Sequence, residues 1–161
     1  MADVYLGLGS NLGNRPAQLA GARDAIASST GKIQAASSIY DTAPWGPIPQ
    51  DNYLNQVIRI TTALPPRDLL KALHEIERAA GRNRANEVRY GPRTLDLDIL
   101  IYGDKAVRED GLTIPHPRIA ERAFVLVPLA EIAPGLVLDG TPVRELLGRI
   151  DSRSVARYDP S

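Results

Sequence analysis

Arg89-Tyr-Gly-Pro-Arg93-Thr-Leu-Asp96-Leu-Asp98-Ile-Leu-Ile-Tyr102 sets two carboxylates at i and i+2 inside an apolar, β-branched run. Side chains alternate faces along a strand, so Asp96 and Asp98 point the same way, ~6.5–7 Å apart. Leu95, Leu97, Ile99 and Ile101 then fill the opposite face, which reads as the core side. Two acids on one face repel each other unless a cation lies between them. Two readings stand: the solvated face of an edge strand, or a divalent-cation site. The arginines just upstream favour the second, because magnesium bridges carboxylates to phosphate oxygens that arginines can also grip.

Working outward, residues 4–8 form a short apolar run ending in Gly9-Ser-Asn11, a strand feeding a polar turn. Asn14-Arg15-Pro16 opens a helix to about Ser29, with Leu19, Ala22 and Ile26 on its buried face. Residues 32–42 predict a second strand, and the prolines at 44, 47 and 49 make 43–51 a loop. Residues 53–63 predict a third strand. Pro65-Pro66 starts a second helix, with Leu69, Leu70, Leu73, Ile76 and Ala80 inward and Gly81 as its stop. A polar loop over 81–93 leads to the strand of Asp96 and Asp98.

Beyond it, Gly103-Asp104 and Asp110-Gly111 mark a hairpin-like excursion. Short helices are predicted near 118–121, 125–132 and 143–150, and the polar tail from Asp151 suggests an edge strand. Strand–helix–strand–strand–helix–strand is the split βαβ, ferredoxin-like order. The expectation is one α+β domain over 1–161, with helices appended after the fourth core strand.

Composition narrows the chemistry. At 161 residues the chain suits one domain. Its 19 basic and 19 acidic residues balance at +0, so no global field favours nucleic acid or an anionic membrane. Cysteine is absent, which excludes thiolate catalysis and cysteine-based metal sites. No signal peptide or apolar span is evident, so a soluble cytoplasmic protein is expected.

Gly7-Leu-Gly9-Ser-Asn-Leu-Gly13 looks like a dinucleotide glycine loop, but a proline loop and a third strand follow the second strand where a crossover helix is needed. A tight turn with a substrate-facing backbone is the simpler account. No G-x-x-x-x-G-K-[ST] motif exists, since Gly31-Lys32 precedes Ile33. A bound triphosphate would therefore depend on metal and arginine. Arg82, Arg84, Arg89 and Arg93 are candidates, with Arg82 and Arg93 best placed.

His116, held between Pro115 and Pro117, suits either a phosphate or nucleotide hydrogen bond or a structural role. Tyr53 and Asn55 share a strand face, and Phe124 is the sole phenylalanine. These residues either belong to the core or stack on and read a planar, polar heterocycle.

Taken together, these segments resemble the hydroxymethyl-dihydropterin pyrophosphokinases of the folate pathway over nearly the whole chain. The resemblance is carried by Gly9-Ser-Asn11, Tyr53-Leu-Asn55, Glu77 with Gly81-Arg82, Pro115-His116, Arg122-Ala-Phe124 and Pro128-Leu129. The most specific part is Gly91-Pro-Arg-Thr-Leu-Asp-Leu-Asp98. It implies pyrophosphoryl transfer from ATP to 6-hydroxymethyl-7,8-dihydropterin, with release of AMP.

In that case Asp96 and Asp98 bind two Mg2+ ions, and Arg82 and Arg93 hold the phosphates through the transition state. Tyr53 and Phe124 sandwich the pterin and Asn55 bonds its edge, with Thr42 and Pro44 in the same pocket. Glu77, His116, Arg122 and the backbone near Ile99 hold ATP, with Arg84 and Arg89 as further candidates. Loops 43–51 and 82–90 act as lids, and the protein is a monomer.

Ala85, Tyr90 and Pro117 depart from residues seen in some members, and the loop from 82 to 93 is one residue longer than in some. The rival enzyme class is another two-metal nucleotide phosphotransferase or hydrolase. A non-catalytic ligand-binding domain with solvated acids is the second rival.

Overall fold

The alternation at residues 96–102 does form a strand, and it lies at one edge of a six-stranded sheet. The computed structural model describes residues 1–44, 46–81 and 94–159. Along the chain run β1 (Ala2–Ser10), α1 (Arg15–Ser29), β2 (Gly31–Ala36), β3 (Tyr40–Thr42), β4 (Tyr53–Thr62) and α2 (Pro66–Ala79). Then follow β5 (Asp96–Tyr102), β6 (Val107–Glu109), β7 (Leu112–Ile114), a 3-10 turn (Ile119–Glu121) and α3 (Ala123–Ile132). The chain continues through β8 (Val137–Leu138), β9 (Thr141–Pro142), α4 (Val143–Gly148) and β10 (Val155–Arg157).

Local chemistry explains the helix boundaries. The Asn14 side chain accepts a hydrogen bond from the Ala17 N–H at 3.1 Å, capping α1 ahead of its first-turn proline. Pro66 opens α2, whose buried stripe is Leu69, Leu73 and Glu77, each four residues on. Gly81, at φ +93, provides the left-handed turn-off that follows.

The main sheet runs β10-β3-β4-β1-β5, with β2 also paired to β4, and every pair is antiparallel. The strand expected over 32–42 is therefore two pieces. Between them the Ser37 hydroxyl takes over a rung of the ladder, accepting from the Val57 N–H at 3.0 Å. Gln56 donates to the Ser37 carbonyl at 2.7 Å, so the break leaves no orphaned rung there.

Each face of the sheet buries its own core. On one face Val4, Leu6, Leu8, Ile58, Leu97 and Ile99 pack with Leu19 and Ile26 of α1 and Leu69 and Leu73 of α2. On the other, Tyr5, Val57 and Leu100 pack with Val125, Leu126 and Leu129 of α3 and Val143 of α4. Ile101 joins this second cluster, contrary to the alternation expected from Leu95 onward. The β1–β5 register slips between Tyr5 and Leu6, which inserts Leu100 as an extra residue and turns Ile101 over.

Among the described residues, no helix is long and apolar enough to cross a membrane.

Candidate active site

The register of the central strands brings the chemistry into one row. Gly9 of β1 stands opposite Asn55 of β4 on one side and Asp96 of β5 on the other. One pleat along, Gly7 stands between Val57 and Asp98. Tyr40 pairs with Asn55 and Thr42 with Tyr53, which extends the row to β3. All these positions share the face opposite the α1–α2 core. Asn55 and Asp96 are thus two strand spacings apart, about 9.5 Å, with a glycine floor between them.

At Gly9 the floor has no room for a side chain. A Cβ on Gly9 would meet Asn55 Oδ1 at 2.7 Å and Tyr53 Cδ1 at 3.4 Å. Asn55 Nδ2 donates to Thr42 Oγ1 at 2.7 Å, which fixes the amide and turns its carbonyl oxygen over Gly9. Thr42 is buried and Pro44, next along, is half-buried. Asn11 ties the far end of the following loop to the exit of β1, donating to Gln50 Oε1 at 2.6 Å and to the Asp51 carbonyl at 3.1 Å.

At the other end of the row Asp96 and Asp98 are both half-buried. Glu77 lies on the opposite face, 1% exposed, and its Oε2 accepts from the Leu97 N–H at 2.8 Å. The outward edge of β5 is engaged again where the His116 N–H donates to the Leu100 carbonyl at 2.8 Å. His116 Nδ1 accepts from the Arg118 N–H at 3.2 Å, so the ring proton of the neutral imidazole sits on Nε2.

Burial and the nearby Arg122 and Arg118 hold the His116 pKa down at about 4, against the opposing pull of Asp96. Near neutral pH this ring is an uncharged donor. The Arg122 guanidinium lies 5.4 Å from the centre of the Phe124 ring. Its Nε, like Thr94 Oγ1, is buried and meets no hydrogen-bond partner among the described residues.

Residues 5–134 match the family described as 7,8-dihydro-6-hydroxymethylpterin-pyrophosphokinase (HPPK). The chain belongs to this family. It is 47% identical to the 2-amino-4-hydroxy-6-hydroxymethyldihydropteridine pyrophosphokinase of Methylorubrum extorquens, over 99% of this chain and 100% of that one. It is 41% identical to the Haemophilus influenzae enzyme of the same name, again over 99% and 100%. Among solved structures, Plasmodium falciparum HPPK-DHPS with pterin and p-hydroxybenzoate superposes with a TM-score of 0.77 at 15% identity, a likeness of fold. That match covers 97% of this chain and 45% of the longer one.

Within this HPPK chain the structure brings together Thr42, Asn55, Asp96 and Asp98 through the sheet, and His116 and Arg122 at its edge. Tyr53 borders the glycine floor, and Phe124 stands in the first turn of α3. Ile99 is in β5, its side chain in the α1–α2 core. Arg82, Arg84, Arg89 and Arg93 lie outside the described residues, as do Ala85, Tyr90 and the whole of the lid expected over 82–90. Two further residues shape the site without a local signal for that place in the sequence: Gly9, which joins the row only through strand register, and Asn11, which ties the loop to β1.

The donor set suits a hard divalent cation. Asp96 and Asp98 supply two carboxylates on one face of β5, and among the described residues no group of three or more His, Cys, Asp or Glu side chains converges. Magnesium is commonly held this way, by one or two carboxylates with phosphate and water completing the shell. The buried Arg122 Nε is a donor suited to an anionic ligand beside them.

Two cavities are lined by residues outside this row. One of about 440 Å³ is lined by Asn11, Gly13, Arg15, Asp41, Asp51 and Asn52. Another, of about 780 Å³, lies beside His116 and away from the acids, between the β6–β7 hairpin and Ile119, Asp139 and Leu146.

Proposed function

We propose that this chain transfers the pyrophosphoryl group of ATP to the hydroxymethyl oxygen of 6-hydroxymethyl-7,8-dihydropterin, releasing AMP, in folate biosynthesis. One observation carries the reading. A recognition amide, Asn55, and a diacid, Asp96 and Asp98, share one face of the sheet with only the Gly7–Gly9 floor between them. A flat heterocycle over Gly9 can be read by Asn55 while its side arm reaches toward the acids.

In this scheme Tyr53 and Phe124 stack on the two faces of the pterin, and Asn55 bonds its edge. Thr42 holds that amide in place, and Pro44 borders the pocket. The hydroxymethyl oxygen attacks the β-phosphorus and loses its proton, the bond from Pβ to the oxygen bridging to Pα breaks, and AMP departs. Asp96 and Asp98 would hold two magnesium ions, which would supply Lewis-acid stabilisation of the charge on the transferred group.

Arg82 and Arg93 grip the phosphates, assisted by Arg84 and Arg89. His116 offers its Nε2–H, and Arg122 its buried Nε, to the nucleotide. The outward backbone of β5 near Ile99 receives the base. Glu77 serves this edge from beneath by holding the Leu97 N–H. Loops 43–51 and 82–90 exclude water, whose attack would waste ATP.

The same reading treats residues 1–161 as one domain of ferredoxin-like type. The order β2/β3-β4-β1-β5 supports this, because β1 and the β2/β3 strand flank β4 as in a split βαβ unit. It also takes the protein to be a cytoplasmic monomer. Incubation with ATP, Mg2+ and the dihydropterin should release AMP only when the pterin is present. Production of ADP or free pyrophosphate instead would overturn the assignment.

A further inference from the structure

Glu131, in the last turn of α3, has no part in the chemistry above, yet it makes a dense set of contacts. Both of its carboxylate oxygens accept from the Ser38 N–H at 3.0 Å, and Oε2 accepts from Ser38 Oγ at 3.0 Å. Oε1 accepts from the Tyr40 hydroxyl at 2.6 Å. Ser38 lies in the gap between β2 and β3, where the ladder is interrupted, and the carboxylate supplies the partner its N–H needs. Tyr40 is buried and is the cross-strand neighbour of Asn55.

Burial pushes the Glu131 carboxyl up, but the bonds from Tyr40 and Ser38 and the charge of Arg157 outweigh it and keep it below the usual range. Burial and Glu131 together raise the Tyr40 phenol, so this is a phenol-to-carboxylate bond.

The helix geometry connects this clamp to the site. Phe124 and Glu131 are seven positions apart on α3, about 10.5 Å along the axis and within roughly 20° of the same face. α3 packs against β3 and β4, the strands that carry Thr42, Tyr53 and Asn55. Pro128 lies inside the helix and has no N–H, so the Phe124 carbonyl loses its i+4 donor. The first turn of α3 is thereby less firmly held by the helix itself, and anchorage at the far end matters more.

We infer that Glu131 is a positioning residue of the pterin subsite: through Tyr40 and Ser38 it fixes α3, and with it Phe124, relative to Asn55 and Thr42. The inference rests on the proposed pterin site, and the test separates the two. Equilibrium binding of 6-hydroxymethyl-7,8-dihydropterin and of a non-hydrolysable ATP analogue is measured for Glu131→Ala, Glu131→Gln, Tyr40→Phe and Phe124→Ala.

Glu131→Ala should raise the pterin Kd about tenfold, since small misplacements at a binding site are costly, and leave the ATP-analogue Kd within about twofold. Glu131→Gln, which retains a carbonyl acceptor for Tyr40, should recover most of the loss. Tyr40→Phe should fall between, and it supplies the readout if Glu131→Ala does not fold. With Phe124 already removed, Glu131→Ala should add little further loss.

If Phe124→Ala weakens the pterin while the Glu131 and Tyr40 variants bind it normally, the inference fails and the site stands. If Phe124→Ala also binds normally, the pterin assignment fails. Equal loss of both ligands in Glu131→Ala would mean a merely structural role and would overturn the inference too.

Discussion

Asp96 and Asp98 face the same side of β5, ~6.5–7 Å apart, a separation at which like charges repel even with water nearby. A protein retains such a pair when a cation offsets it. Asp96→Asn or Asp98→Asn should lower turnover on the order of a thousandfold, since several kcal/mol of transition-state charge stabilisation is lost. The unfolding midpoint should stay level or rise, because the repulsion is relieved. Steady-state assays beside thermal melts test this, and full activity in either variant would remove the metal role.

His116 makes a second residue-level case. Its native pKa of about 4 lies below the ordinary 6.5, so between those values the unfolded chain binds more protons there than the native one. The resulting stability is complete above pH ~6.5 and is lost as pH falls to about 4. Urea midpoints should therefore drop from pH 7 to pH 5, and less steeply in His116→Asn, which keeps an acceptor where Nδ1 stands. Identical slopes in the two proteins would contradict the burial account.

Elements were legible where a single side chain announces them. Asn14 with Pro16 marked the start of α1, Pro66 the start of α2 and Gly81 its end, and the structure follows all of these. The break between β2 and β3 was not legible, because it depends on what Ser37 bonds across the sheet rather than on local propensity. The β8–β9 hairpin is not among the elements expected from the sequence, although Asp139-Gly140, at φ 48 and 80, is a recognised tight-turn pair.

β5 illustrates how an edge strand is secured by a side chain. The Leu97 N–H faces away from β1 and is met by a carboxylate from α2. Glu77→Ala would leave that buried N–H unsatisfied, at a cost of about 1–3 kcal/mol. Chemical denaturation should register the loss, and hydrogen exchange should quicken at Leu97 before it does in β4. Unchanged exchange there would mean that the bond contributes nothing to the edge.

At the scale of the whole molecule, the six-stranded sheet has a separate apolar core on each face, and only one face carries the row of Asn55, Gly9 and Asp96. The sequence disclosed the two acids and their motif. It could not disclose that row, because Gly9 joins Asn55 to Asp96 only through the registers of β1 with β4 and of β1 with β5. Nor could it reveal that α3 is held by Glu131, which is 91 residues from its partner Tyr40. This division of the fold predicts that equally severe core damage will affect function unequally. Leu73 and Leu129 are both fully buried, one between the sheet and α2, the other between the sheet and α3. Either change to alanine should cost roughly 2–5 kcal/mol in stability. Leu73→Ala should leave the pterin KM near its original value at temperatures where the fold persists. Leu129→Ala loosens the helix that bears Phe124 and should raise that KM several-fold, with the ATP KM little changed. Parallel urea melts and KM measurements at 10 °C would check this, and equal shifts in pterin KM for the two variants would refute the idea that α3 alone transmits core packing to the site.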